Sequence, residues 1–318
     1  MSANSHYEIY FGGPDQPAGR LRDLLAEQIE AVPAGGTIDW VTYYFRDRRL
    51  AEQLLRAHRR NVSVTVTLEG NPHVPDANSA VVAMLSGAQG LGSGFRTVFL
   101  PPRVPIPGRK MGNPNLHEKL YCSSHPKPIA FIGSFNPSGD DPEDRPEIIH
   151  DIGDHNRAHN VLVGISDPVL TGGLMNHARW VHRARHRLFE PFFAGGNRAL
   201  RGVNTEIHFL PRARSHAAAS FLERFGKGSR IRVAASHLNG MTAIKTMLKI
   251  ARRGASLEIL AEPTLRRVSM KAEKKLTEAG IPFRRVAHTD KLPMHHKFVL
   301  VKQGNRRWVV FGSYNWST

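Results

Sequence analysis

Apolar and polar positions alternate through "EIYFGG" at 8–13, crowd together in "TIDWVTYYF" at 37–45, and alternate again in "VSVTVTLEG" at 62–70. Short runs of this kind predict strands. Between the last two, Leu50, Leu54 and Ala57 fall at helical spacing, which predicts an amphipathic helix over 47–60. The second half of the chain repeats the plan. "EIHFLP" at 206–211, "RIRVAASHL" at 230–238 and "ASLEILAEP" at 255–263 read as strands, with Met241, Ile244, Met247, Leu248 and Ala251 marking the intervening helix. Asn61 and Gly254 close the two helices at matching places.

Strands that alternate with helices predict sheets with helices on their faces. Repetition of the whole series predicts two such units. The expected fold class is α/β: two lobes related by a pseudo-twofold axis, each a mixed, largely parallel sheet flanked by helices, with the site at the lobe interface. The expected division is 1–170 for the first lobe, 171–205 for a linker helix region and 206–318 for the second lobe. The linker opens with "LTGGLMNHARWVHRARHRLF", a basic helix anchored by Leu174, Trp180 and Leu188. In the first half, "PPRVPIPGRKMGNPN" at 101–115 reads as a long loop running into His117. The second lobe has no counterpart of the strand at 160–165 or of the helix at 174–188, so it reads as truncated at its C-terminus.

Charge narrows the class of partner. The 318 residues carry 44 Lys and Arg against 27 Asp and Glu, a formal net charge of +17. Such a surface attracts polyanions, either nucleic acid or an anionic lipid face. The single cysteine, Cys122, forms no intrachain disulfide and reads as a core residue. No basic start followed by an apolar run opens the chain, and no apolar stretch reaches the ~20 residues that span a bilayer. The expected location is cytoplasmic, peripheral to a membrane at most, and a monomer is compatible with the layout.

The candidate chemistry lies in two related sentences, "HEKLYCSSHPKPIAFIGSFN" at 117–136 and "HHKFVLVKQGNRRWVVFGSYN" at 295–315. Side chains alternate across a strand, so His117 and Lys119 share one face and Glu118 takes the other; His295 and Lys297 do likewise. A second strand then delivers Gly133, Ser134 and Asn136, or Gly312, Ser313 and Asn315. The glycines let a substrate approach the backbone, while hydroxyl, amide, ammonium and imidazole groups together suit a tetrahedral anion such as phosphate. Two sets facing one another would let one imidazole attack phosphorus while the other protonates the leaving oxygen. The two lysines hold the charge in this scheme, so neither metal nor cofactor is expected.

The paired HxK and GSxN motifs, with 16 and 17 residues from His to Gly, resemble the signature of the phospholipase D superfamily over both halves. The resemblance implies a phosphodiesterase or transferase working through a covalent phosphohistidine. It assigns His117 as nucleophile and His295 as general acid, with the roles exchangeable. Lys119, Lys297, Ser134, Asn136, Ser313 and Asn315 would bind phosphate. The implied substrate is a phospholipid head group, as in phospholipase D and cardiolipin synthase enzymes. The alternatives are a metal-independent nuclease or DNA-end phosphodiesterase, and a catalytically silent module that binds nucleic acid or membrane.

The chain departs from the family pattern in two ways. The Asp expected five residues after each Lys is replaced by Ser124 and Lys302. The carboxylate expected before the strand at 160–165, which would orient the His117 ring, is also absent: His159 stands there, Asp154 and Glu147 are the nearest acids, and Asp154 and His159 are the candidate orienting residues. His182 and His186 stand at the i, i+4 spacing of shared metal ligands, but no completing ligand accompanies them. Glu69 and Glu262 end matching strands and are candidates to face the cleft.

Overall fold

The computed structural model describes residues 6–100, 115–137, 157–184, 197–210, 217–286 and 292–316. The first half contains β1 (Tyr7–Gly12), α1 (Arg20–Glu30), β2 (Thr37–Thr42), α2 (Arg48–Arg59), β3 (Ser63–Glu69), α3 (Ser79–Ser86), β4 (Phe95–Val98), β5 (Lys119–Ser123), β6 (Ile129–Gly133), β7 (Asn160–Ile165) and α4 (Pro168–Arg183). The second contains β8 (Leu200–Arg201), β9 (Glu206–Ile207), α5 (Ala217–Leu222), β10 (Ser229–Ala235), α6 (Met241–Arg252), β11 (Ser256–Ala261), α7 (Met270–Thr277), β12 (Phe283–Arg285), β13 (Lys297–Gln303) and β14 (Arg306–Phe311).

Two mixed sheets organise these elements. The larger has the order β1-β7-β6-β5-β2-β3-β4, and the smaller β12-β11-β10-β13-β14. In the larger, β5 and β7 run against the other strands; in the smaller, β13 alone is reversed. Helical crossovers make β2-β3-β4 and β10-β11-β12 parallel, whereas short turns force the motif-bearing strands into antiparallel hairpins. The turn between β13 and β14 is two residues, Gly304-Asn305, with Gly304 at φ 56°.

The repeat read from sequence is a repeat of register. Thr42 faces Lys119 as Ala235 faces Lys297, and Asp39 faces Thr65 as Arg232 faces Glu258. Helices α1, α2 and α3 cover one face of the larger sheet through Leu21, Leu25, Ile29, Leu50, Leu54 and Val81. Each fully buried aliphatic side chain of this kind contributes about 1.5–3 kcal/mol. Asp47 caps α2 by accepting the Leu50 N–H at 2.9 Å, and Arg56, His58 and Arg59 in its last turn complement the helix dipole.

Three local expectations shift. The apolar face of α6 runs through Ala243, Ile244, Met247 and Ile250, while Met241 starts the helix ahead of the core and is exposed. The "EIHFLP" strand does not open the second sheet: β9 pairs with β8 in a separate ribbon, and Phe209 packs into the first lobe's core. The reason is topological. In the larger sheet β1 lies beside β7, and among the described residues the smaller sheet has no strand matching β7. Helix α4, read as opening the connection, instead lies on the second face of the larger sheet. It buries Leu170, Leu174, Ala178 and Val181 against Val41, Leu120, Cys122 and Val161. The Pro-rich segment at 101–114 lies outside the described residues, as does Leu188.

Candidate active site

Each HxK segment reaches the site just ahead of its strand. Lys119 and Lys297 are the first residues of β5 and β13, so both histidines sit on the entering turns. Each lysine is buried and folds its Nζ back onto the carbonyl oxygen of its own histidine, at 3.2 Å for His117 and 2.8 Å for His295. The ammonium groups are thereby fixed beside the imidazoles. Lys119 Nζ also lies 5.4 Å from the centroid of the Tyr43 ring, which packs 5.0 Å from the His117 ring.

The two histidines converge across the lobe interface. Lysines of both lobes act on each ring: burial is the first cause holding His117 and His295 well below the ordinary histidine range, followed by Lys119 and Lys297 together. Arg267 adds to the effect on His295; on His117 a hydrogen bond to the Ser313 backbone opposes it. Burial and these cations favour the neutral form of both rings.

Asp154 lies outside the described residues. His159 contributes its carbonyl oxygen, which accepts the His295 backbone N–H at 3.0 Å, while its ring turns to His296 at 5.8 Å. The orienting side chain is the next one along, Asn160, whose Oδ1 lies 3.1 Å from His295 Nδ1. The contact is crossed: a residue following the first GSxN positions the histidine of the second lobe. A parallel bridge between His159 and Met294 brings the start of β7 beside the approach to β13.

The first GSxN builds the seat of Asn160. Ser134 Oγ donates to Asn160 Oδ1 at 2.8 Å and accepts the Val161 N–H at 3.1 Å. Its hydroxyl therefore serves the orienting amide, a structural use that differs from the expected phosphate contact. With Oδ1 fixed as an acceptor, the facing His295 Nδ1 carries the proton and Nε2 carries the lone pair. Gly133 is required by the neighbouring strand: a Cβ there would stand 2.0 Å from the Val161 carbonyl oxygen. Asn136 Oδ1 accepts the Tyr44 N–H at 3.3 Å. In the second copy Gly312 adopts φ +150° with open space around its Cα, Ser313 meets His117, and the enclosed Asn315 Oδ1 has no partner among the described residues. The two GSxN copies thus differ in use.

Glu69 and Glu262 are both buried at their strand ends. Glu69 accepts the Leu116 N–H at 2.5 Å and the Asn71 N–H at 2.8 Å, which fixes the residue before His117. Glu262 accepts from Thr264 and lies 3.7 Å from Arg267. Glu118 points away from the site and meets His177 on α4 at 2.9 Å, as strand alternation requires. His182 uses both ring nitrogens, on Thr67 Oγ1 and the Ser93 carbonyl oxygen, and His186 lies outside the described residues. Cys122 is buried in the core, where burial raises its thiol well above the usual range.

Four contributors were not read from sequence: Asn160, Tyr43, His237 and Arg267. His237 occupies the place in the second repeat that Tyr44 holds in the first. Burial, then Lys297, Arg267 and Arg266, lower it to about 2. The second lobe therefore presents an imidazole flanked by Arg267 and Arg266 where the first presents a tyrosine.

A family model described as cardiolipin synthase, PLD-like domain matches residues 222–318. The chain is similar in structure to polyphosphate kinase from Porphyromonas gingivalis, with TM-score 0.59 and 14% identity over 98% of this chain and 46% of that one. It thus spans less than half of the kinase. It is also similar to phosphatidylserine synthase from Haemophilus influenzae, with TM-score 0.57 and 12% identity over 93% of this chain and 76% of that one. A phospholipase D family member, Nuc from Salmonella typhimurium, aligns at TM-score 0.37 and 18% identity over 54% of this chain and 92% of that one. No curated protein sequence matches the chain.

Proposed function

We propose that the chain is a phospholipase D superfamily enzyme, a reading that the paired motifs and the family match over residues 222–318 support, and that it cleaves or transfers phospholipid head groups through a phosphohistidine, with His295 as nucleophile and His117 as general acid. The carrying observation is the contact between His295 Nδ1 and Asn160, which supports a ring with its Nε2 lone pair free for attack. Arg267, among the cations around His295, favours the neutral form a nucleophile needs, whereas the Ser313 contact favours a proton on His117. The roles first assigned from the resemblance are thereby exchanged.

The steps balance as follows. A phosphodiester anion binds between Lys119 and Lys297, offsetting the positive field that kept both rings neutral, and His117 takes up a proton. His295 Nε2 attacks phosphorus, the bond to the head-group oxygen breaks, and His117 delivers its proton to that oxygen. Water or an alcohol then attacks the phosphorus, His117 accepts its proton, and the P–N bond breaks to restore His295.

The lipid reading draws on the printed description of the family match and on the rim of the cleft. Exposed apolar side chains, Phe99, Met241, Leu265 and Met270, follow in sequence the C-terminal ends of β4, β10 and β11, the sheet ends at which β5 and β13 begin. An apolar rim suits acyl chains. The net charge of +17 is what favours nucleic acid as the second reading.

The test uses phosphatidylglycerol vesicles, single- and double-stranded DNA, and bis(4-nitrophenyl) phosphate. The expected results are head-group release by wild type and an acid-labile phospho-adduct on His295. His295→Ala should lose adduct and turnover on every substrate. His117→Ala should lose vesicle turnover but still form adduct from the nitrophenyl ester, whose leaving group needs no acid. An adduct on His117 would reverse the roles, and cleavage of DNA with inert vesicles would replace the lipid reading.

A further inference from the structure

We propose, on the reading of His117 as the general acid, that His177 of α4 is a positioning residue for it: His177 holds Glu118, and through Glu118 the first HxK segment. The identity of the substrate does not enter.

His117 stands outside the strand ladder. The register of β5 with β2 ends at the pair of Lys119 and Thr42, so residues 116–118 approach the site ahead of the sheet. The second HxK segment is tied by main-chain bonds at this point. The His295 N–H donates to the His159 carbonyl oxygen at 3.0 Å, and the Ser236 N–H to the His296 carbonyl oxygen at 2.8 Å. In the first lobe Tyr43 takes the place of Ser236, and among the described residues its N–H makes no matching bond to Glu118. Side chains hold the segment instead. On one side of His117, Glu69 accepts the Leu116 N–H. On the other, both carboxylate oxygens of Glu118 meet His177 Nε2, at 3.0 and 2.9 Å.

His177 is itself gripped. It is 3% exposed, and its ring lies flat on Phe209, with centroids 3.6 Å apart and planes 16° apart. Leu174, Ala178 and Val181 fix the same stretch of α4 in the core. A contact on so enclosed a ring is shielded from the solvent screening that weakens exposed pairs. Lys119 is held separately, by its ladder to Thr42 and beneath the Tyr43 ring. Loss of the His177 contact therefore loosens the imidazole more than the ammonium, and a misplacement of about 1 Å is costly to a catalytic group.

The test compares bis(4-nitrophenyl) phosphate, whose leaving group needs no acid, with diphenyl phosphate, whose poorer leaving group does. His177→Leu should lose at least about tenfold more kcat on diphenyl phosphate than on the nitrophenyl ester, part of the roughly 10²–10⁴-fold that a general acid supplies. His177→Gln, which keeps an N–H near the place of Nε2, should recover most of that loss. Glu118→Ala should reproduce the selective loss, so the result does not hang on the folding of His177→Leu. The double variant should be no worse than either single one. Equal losses on the two esters, or additive losses in the double variant, overturn the proposal and leave the role of His117 intact. No wild-type turnover of either ester, or a phospho-adduct on His117, removes the general-acid reading and the proposal with it.

Discussion

His295 donates its Nδ1–H to an amide oxygen, an acceptor without charge. A carboxylate at the same distance would favour the imidazolium and raise the depressed pKa of the ring. Asn160→Asp should therefore move the acidic limb of the kcat/KM profile to higher pH, because neutral His295 is the reactive form. Asn160→Ala leaves both His295 and the Ser134 hydroxyl without an acceptor, at a cost of about 1–3 kcal/mol, and should lower kcat without a shift of that limb. An Asn160→Asp profile that coincides with wild type would remove Asn160 from the orienting role. At this scale the sequence displays the residues that repeat, His117, Lys119, Ser134 and their partners. It conceals Asn160, which stands 135 positions from the ring it holds and carries no repeat of its own. His159 draws attention because it is titratable, whereas the side chain that faces His295 Nδ1 is a neutral amide.

The orienting amide is only as well placed as the strands beneath it. Gly133 ends β6 where the Val161 carbonyl oxygen of β7 crosses it, and no relaxation of a flexible side chain can make room for a Cβ at 2.0 Å. Gly133→Ala should part β6 from β7, cost about 1–3 kcal/mol in urea denaturation and displace Asn160 with its strand. Gly312→Ala meets no atom but must hold φ +150°, so its cost is conformational and local. Equal losses of stability and activity in the two variants would show that the β6–β7 contact has no special part in the site. Periodicity revealed the strands and helices well because both sheets bury one face against helices. It misplaced the α6 stripe, where Met241 sits before the first buried turn. It also gave β9 to the second sheet, since an alternating run states that a strand can form without stating which neighbour it will find.

At the scale of the molecule, four imidazoles among the described residues are held below their ordinary range by burial and neighbouring cations: His117, His295, His237 at about 2 and His296 at about 3. In the unfolded chain each binds its proton near pH ~6.5. Above that pH both states are neutral and these groups do not tilt the balance. Below it the unfolded chain binds protons that the folded chain refuses, so stability falls as pH falls, down towards the depressed values. Each group adds up to about 1.4 kcal/mol per pH unit to the slope. The midpoint of urea unfolding should thus be level near neutrality and decline steeply between pH 6.5 and 5. His296→Phe, outside the reacting pair, should remove close to one proton from the slope while leaving the neutral plateau in place. A midpoint indifferent to pH across this window would mean that the rings titrate normally. The enclosed, cation-flanked interface on which the chemistry depends would then lose its electrostatic basis. That coupling was hidden in the sequence: seventeen histidines are countable there, but only the meeting of two lobes decides which of them share a field.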